Sequence, residues 1–385
     1  MSSEQGVVGS NPPGCTISIM NYLAILGRQP EISLAELKAQ FSDVKKLSPV
    51  AAAFVSEKTP NINRLGGVKK LARQLDQSPI DFLKNLPDGK IVLGISDYSD
   101  RPSRALVSKQ SLRLKKTLKN SGRSVRLLLH NSTEVPSATA HHNFLGEKPT
   151  HVELIFCNKK WYISLGSQNI TAYAKRDQAR PARDAKVGML PPKLAQILIN
   201  LCGPLPENAR LLDPFCGTGV VLQEAALMDY SVYGTDLSER MVNYSEKNLK
   251  WLQSTFLKKS KLFMKVEVGD ATNHTWSGPI DAVAAEVYLG PPMSQPPVDI
   301  KLKTAMEECG TILLGFLKNL STQIEPNTPV VLGVPAWLRP DGSYKKMNLK
   351  AQIESIGFAI QPDSGLLYHR PGQIVAREIL ILRKK

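Results

Sequence analysis

The sequence predicts an α/β fold, with a parallel, doubly wound sheet in the C-terminal half and a smaller α+β region before it. Three observations carry this. From Ala209 onward, strand-like and helix-like segments alternate: "ARLLDPF", "VVLQEAALM", "SVYGTDL", "ERMVNYSEKNLKWL", "KLFMKVEVGD", "IDAVAAEV". The first of these strands runs into an acid and a Gly-rich turn, "LLDPFCGTG", where such sheets bind ligands. Upstream, Arg101 to Arg126 holds nine Lys or Arg and no acid, so a different kind of unit precedes the sheet.

With 385 residues the chain exceeds what one hydrophobic core usually supports, and two or three domains are expected. Residues 1–19 lack both a basic n-region and an apolar core; they read as a disordered extension rather than a signal peptide, and Met20 is a second candidate start. The net charge of +15 favours a polyanionic partner or a membrane surface, but no apolar run reaches the roughly 18 residues of a span. Cys15, Cys157, Cys202, Cys216 and Cys309 include no CxxC pair and leave one over, a pattern that suits a reducing cytoplasm and argues against a cysteine-bound zinc.

Along the chain, "MNYLAILG" reads as a strand and "ISLAELKAQF" as a helix capped by Ser33 with Glu36 three residues later. "SKQSLRLKKTLKNSGRSVRLLL" reads as a basic helix, a stop at Gly122 and a strand. "HVELIFC" and "KWYISLG" form a hairpin with Asn158 and Lys159 near its tip. The expected divisions are therefore residues 20–168, an Arg-, Gly- and Pro-rich linker with an amphipathic capping helix at 169–200, and the sheet domain at 201–385.

Gly217 and Gly219 would let backbone approach a ligand, and the following helix offers N–H groups to a carboxylate. Asp236 ends the next strand a little over 20 residues after Asp213, the spacing of a ribose-binding acid, and Asp270 ends the third. Three acids at three successive tips suit a ligand with cationic and donor groups. S-adenosylmethionine answers that description better than a dinucleotide, whose pyrophosphate would be repelled by Asp213.

With these residues in view, the chain from Met20 resembles the tRNA guanosine N2-methyltransferases, which join a ferredoxin-like and THUMP RNA-binding region to a Rossmann-like class I methyltransferase domain. "LAILGRQPEISLAEL", "LKKTLKNSGRSVR", "SATAHHN", "KRDQARPARD", "GMLPPKLA" and "DPFCGTG" carry the resemblance. It implies that Asp213, Phe215, Cys216, Gly217, Thr218 and Gly219 cradle the methionine part of S-adenosylmethionine. Asp236 with Leu237 would take the ribose, Asp270 with Ala271 the adenine, and Met189 and Pro191 would close over the cofactor. It implies a cytoplasmic, monomeric enzyme acting on tRNA, and leaves open a small activator subunit of the kind eukaryotic relatives use. Lys115, Lys116, Lys119, Arg123 and Arg126 would neutralise phosphates, as would Arg180 and Arg183 near the active site. His141 and His142 are candidates for phosphate or sugar contacts, plain surface positions being the other reading. Tyr368, His369 and Arg370 lie where late-strand loops reach a substrate. Cys216 reads as a small packing residue, with no base beside it to make a nucleophile.

The family methylates an exocyclic amine without a covalent intermediate or a metal. An Asp or Asn and a Pro carbonyl accept from the amine, which frees its lone pair, and a following aromatic stacks on the flipped-out base. Here the fourth strand ends "AAEVYLGPPM". Glu286 takes the acid's place, and Tyr288 is the aromatic that stacks if the loop bends differently; both are assigned to catalysis. An alternative register matches Pro291 and Pro292 to the family's prolines and puts Gly290 in the acid's place, which would leave a non-catalytic RNA-binding protein. Methylation of another RNA atom is a third reading.

Overall fold

The computed structural model describes residues 20–184, 190–257 and 262–385. In its first half lie β1 (Met20–Leu26), α1 (Pro30–Gln40), β2 (Ser42–Ser48), β3 (Ala51–Ser56), β4 (Val68–Gln74), α2 (Pro79–Lys84) and β5 (Ile91–Asp97). They are followed by α3 (Arg104–Asn120), β6 (Val125–Leu127), α4 (Ser137–His142), β7 (His151–Cys157) and β8 (Lys160–Ser167). These eight strands form one sheet in the order β2-β3-β1-β4-β8-β7-β5-β6. Only β5 runs parallel to its neighbours, β6 and β7.

Two helices, α5 (Ile170–Gln178) and α6 (Pro192–Leu201), join this half to the next. There the elements are β9 (Arg210–Asp213), α7 (Val220–Leu227), β10 (Ser231–Asp236), α8 (Glu239–Phe256), β11 (Met264–Val268), β12 (Ala282–Glu286) and α9 (Asp299–Ser321). The chain ends with β13 (Pro329–Leu338), β14 (Tyr344–Lys345), α10 (Lys350–Ile356), β15 (Phe358–Ile360), β16 (Leu366–Tyr368) and β17 (Val375–Lys384). The main path is β11-β10-β9-β12-β13-β17-β15. Its first five strands are parallel and β17 is antiparallel, so the fold is a doubly wound, Rossmann-like sheet with an antiparallel far edge. Two apolar clusters cover its faces: Leu198, Leu222 and Leu252 belong to one, Leu313, Phe316 and Leu317 to the other.

The start of the chain departs from the expected cap. The first helix begins at Pro30, Ser33 lies inside it, and no side chain caps it. Glu36 faces inward, fully buried, and accepts from Gly66 N and Gly67 N (2.8 Å each) and from Asn200 Nδ2 (2.7 Å). The Glu is thus a staple joining α1, the loop before β4 and α6. Part of the expected linker is also helical and docked: in α5, Arg176 Nε donates to Glu224 Oε1 on α7 at 2.7 Å, both side chains being buried.

Candidate active site at the strand tips

The Gly-rich turn after β9 is held from three sides. Cys216 N donates to Thr235 O (2.9 Å), Gly217 N to Asp236 Oδ2 (2.9 Å), and Asn248 Nδ2 on α8 to Thr218 O (2.9 Å). Gly219 has φ +78°, and a Cβ there would fall 2.7 Å from Ser245 Oγ, so both conformation and space require glycine. Cys216 is buried and accepts from Ser245 Oγ at 3.6 Å; burial pushes its thiol well above the ordinary range, as suits a packing residue. Phe215 packs edge-on against Phe316, and Thr218 is buried beside it in the chain.

Asp213 is 2% exposed and accepts from Phe215 N at 3.2 Å. Burial raises its pKa well above the carboxylate range, and the nearby charges of Asp236 and Glu286 raise it further. Asp236 accepts from Gly217 N and Ser238 N, and burial raises its pKa as well. Each of its oxygens keeps a lone pair for a further donor. Leu237 beside it is exposed. Asp270 Oδ1 accepts from Thr272 N and Oγ1, and Ala271 is buried next to it. Asp213, Asp236 and Glu286 thus converge on one edge of the sheet. Such an edge fits S-adenosylmethionine, whose cationic centres and ribose hydroxyls would find acceptors in Asp213 and Asp236.

The expectation for Glu286 changes in one respect. Its Oε1 is not open, because Arg377 Nε on β17 donates to it at 2.7 Å, with both side chains largely buried. The arginine reaches β12 across the intervening strand β13, where Gly333 pairs with Glu286; a Cβ on Gly333 would lie 3.7 Å from Arg377 Cγ. The sequence carried a signal for this partner: an Arg between apolar residues in "IVAREIL" and a Gly inside the buried strand "VVLGVP". Tyr288 is 37% exposed and turns toward α9, where burial and Glu308 raise its hydroxyl's pKa.

Other expected residues fall elsewhere. Met189 lies outside the described residues, and Pro191 precedes α6 and lines a crevice between the two halves instead of the strand tips. Arg180 is 3% exposed, which removes it from the surface available to phosphates, whereas Arg183 is exposed. Arg123 is spent on the backbone, donating to Leu86 O (2.8 Å) and Pro87 O (2.6 Å). Lys116, Lys119 and Arg126 are exposed and Lys115 half-buried. His142 is exposed, while His141 Nε2 lies 3.3 Å from Thr171 Oγ1, its Nδ1 having no partner among the described residues.

Residues 180–287, which contain the strand-tip acids, match the family described as "RMKL-like, methyltransferase domain". More particularly, the chain is 30% identical to the tRNA (guanine(10)-N2)-dimethyltransferase of Methanothermobacter thermautotrophicus over 197 residues, 50% of this chain and 53% of that one. It is 30% identical to the enzyme of the same name from Pyrococcus abyssi over 175 residues, 44% of this chain and 50% of that one. The chain thus spans about half the length of these curated relatives. Among solved structures, it is similar to the magnesium protoporphyrin IX methyltransferase of Synechocystis, at 17% identity over 56% of this chain and 95% of that one, with a TM-score of 0.36.

Proposed function

We propose that this protein transfers a methyl group from S-adenosylmethionine to the exocyclic N2 amine of a guanine in tRNA. The convergence of Asp213, Asp236 and Glu286 at the tips of β9, β10 and β12 carries this reading, inside the segment that matches a methyltransferase family. The names of the curated relatives support the substrate. When bound, the cofactor supplies an electrophilic methyl. The protein's residues do the rest.

Arg377 holds one oxygen of Glu286, so the carboxylate is fixed in direction and its other oxygen, Oε2, accepts from the guanine amine. That acceptor bond favours the tetrahedral nitrogen whose lone pair is free to attack. Tyr288, exposed at the mouth, stacks on the extruded base. Exposed Lys116, Lys119 and Arg126 contribute phosphate contacts distant from the chemistry. The enzyme works in the cytoplasm, and residues 20–168 are its RNA-binding region. The same Glu286–Arg377 pair supports a second reading, a non-catalytic RNA-binding protein, because a neutralised carboxylate is a weaker acceptor.

The test is incubation of the full chain with S-adenosylmethionine and unmodified tRNA, followed by mass spectrometry of the nucleosides. N2-methylated guanosine is the expected product. Methylation of a different atom, or none from any tRNA, overturns the reading.

A further inference from the structure

A crevice of about 670 Å³ opens between the two halves, and none of Asp213, Asp236, Asp270 or Glu286 lines it. Its charge is opposite to theirs. Arg28, Lys69, Lys193 and Arg370 line it, and Asp177 is the single acid in its wall. None of these four cations makes an ion pair among the described residues. Four cations facing a shared space with one acid among them repel one another, a cost that an anion reduces. Lys193 is the most constrained of them: its Nζ donates to Gln168 Oε1 at 2.6 Å, and burial together with the Arg28 charge lowers its pKa.

Two further features select among anions. Both α1 and α6 begin at the crevice wall, each with Pro in its first turn and no side-chain cap, so first-turn N–H groups and two positive dipole ends face this region. Gln29 also lines it. Its Nε2 donates to His369 O across the halves at 2.6 Å, and its Oε1 is buried with no partner among the described residues. A fully deprotonated anion such as sulfate would satisfy the cations but bring no donor to Gln29 Oε1, and inorganic phosphate brings only its own P–OH. A phosphate carried on a ribose brings hydroxyl donors, and Tyr368 and His369, the latter with its ring beside Tyr344, belong to the same wall.

We propose that this crevice is a nucleotide site, binding a phosphate through Arg28, Lys69, Lys193 and Arg370 and a ribose hydroxyl through Gln29 Oε1. The nucleotide comes either from a single-stranded stretch of RNA or from solution as a free nucleoside phosphate. The site is distinct from the strand tips, and its occupation does not depend on methyl transfer.

Uridine 5′-monophosphate by calorimetry and a short labelled single-stranded RNA by anisotropy distinguish the sources, each measured on the full chain and on Lys69→Gln/Lys193→Gln. If the strand is the source, the RNA binds and the double variant weakens it about ten-fold, as loss of two phosphate contacts requires, while the mononucleotide shows no heat. If the free nucleotide is the source, the mononucleotide binds and is weakened by a similar factor. Arg370→Gln, at an exposed loop position that leaves the core untouched, must shift the same ligand in the same direction. Binding of either ligand at full strength by both variants, or binding of neither by the unaltered chain, overturns the proposal.

Discussion

The tips of β9 and β12 sit on the same edge and both end in an acid, yet they satisfy that acid in opposite ways. Asp213 is buried among other carboxylates, with a single backbone N–H as its described partner and no cation. Glu286 carries its own cation, Arg377, delivered across β13. A buried carboxylate without a counter-charge is pushed toward its protonated form, and its charge returns where a ligand supplies the cation the protein withholds. Asp213 asks for a ligand and Glu286 is already answered. Glu36 gives a third solution, three neutral N–H donors and no charge at all. Each solution makes a different prediction.

Breaking the Glu286 pair has the largest expected effect. Arg377→Ala leaves a mostly buried carboxylate without its partner and lowers unfolding stability by about 3–5 kcal/mol. Adding Glu286→Gln to Arg377→Ala recovers part of that loss, which denaturant unfolding of the four chains measures as a coupling energy. If the double variant is no more stable than Arg377→Ala, the two residues are not a coupled pair and the contrast with Asp213 fails.

The neutral solution at Glu36 predicts a pH dependence. Burial pushes its pKa up from 4.5 to about 7, against the lowering by its three donors. The folded chain therefore holds a proton that the unfolded chain has already released between those values. The contribution of Glu36 to stability is fully present below pH 4.5, is lost as pH rises toward 7, and is flat beyond; its full span is roughly 3 kcal/mol at most. Thermal midpoints across this range should fall for the unaltered chain, and Glu36→Gln should remove that component of the slope. An unchanged slope in the variant would assign it to other groups.

Asp213→Asn separates ligand demand from structure. Removing a buried carboxyl that folding forces toward its protonated form raises the thermal midpoint at neutral pH, while loss of the contact to a cationic centre weakens S-adenosylmethionine by about 2 kcal/mol, roughly 30-fold. Calorimetry and thermal unfolding on one sample decide it. A variant that is destabilised and still binds the cofactor normally would mean that Asp213 serves the turn alone.

Much of this edge was legible in the sequence because local chemistry wrote it. The alternation after Ala209 gave the doubly wound sheet, and acids at strand ends named the tips in chain order. What could not be read was whatever crosses strands. Arg377 lies 91 residues from Glu286, and only the β12-β13-β17 order brings it near. The role of Glu36 was misread for the same reason: an S-x-x-E spacing suggests a capping box, but its actual donors, Gly66, Gly67 and Asn200, are supplied by tertiary structure. In the first half, three of the seven residues of β2, "SDVKKLS", are charged because it is an edge strand, and its lysines hide the apolar alternation that would have announced it.

The smallest effect tests whether the tip of β12 keeps its aromatic for stacking. Tyr288 is exposed and its hydroxyl faces Glu308, so the ring and the hydroxyl can be removed separately. Tyr288→Phe keeps the ring, and because the lost contact is on the surface, stability should move by no more than about 0.5 kcal/mol. In the same variant kcat/KM for tRNA methylation should change less than about two-fold, whereas Tyr288→Ala should lose the roughly 1–3 kcal/mol that stacking on a base provides. If Phe and Ala are equally impaired, the hydroxyl matters and the ring does not. Tyr288 would then be a strut between the strand tip and α9, and the loop ending in Pro291 and Pro292 would have to supply the base platform instead.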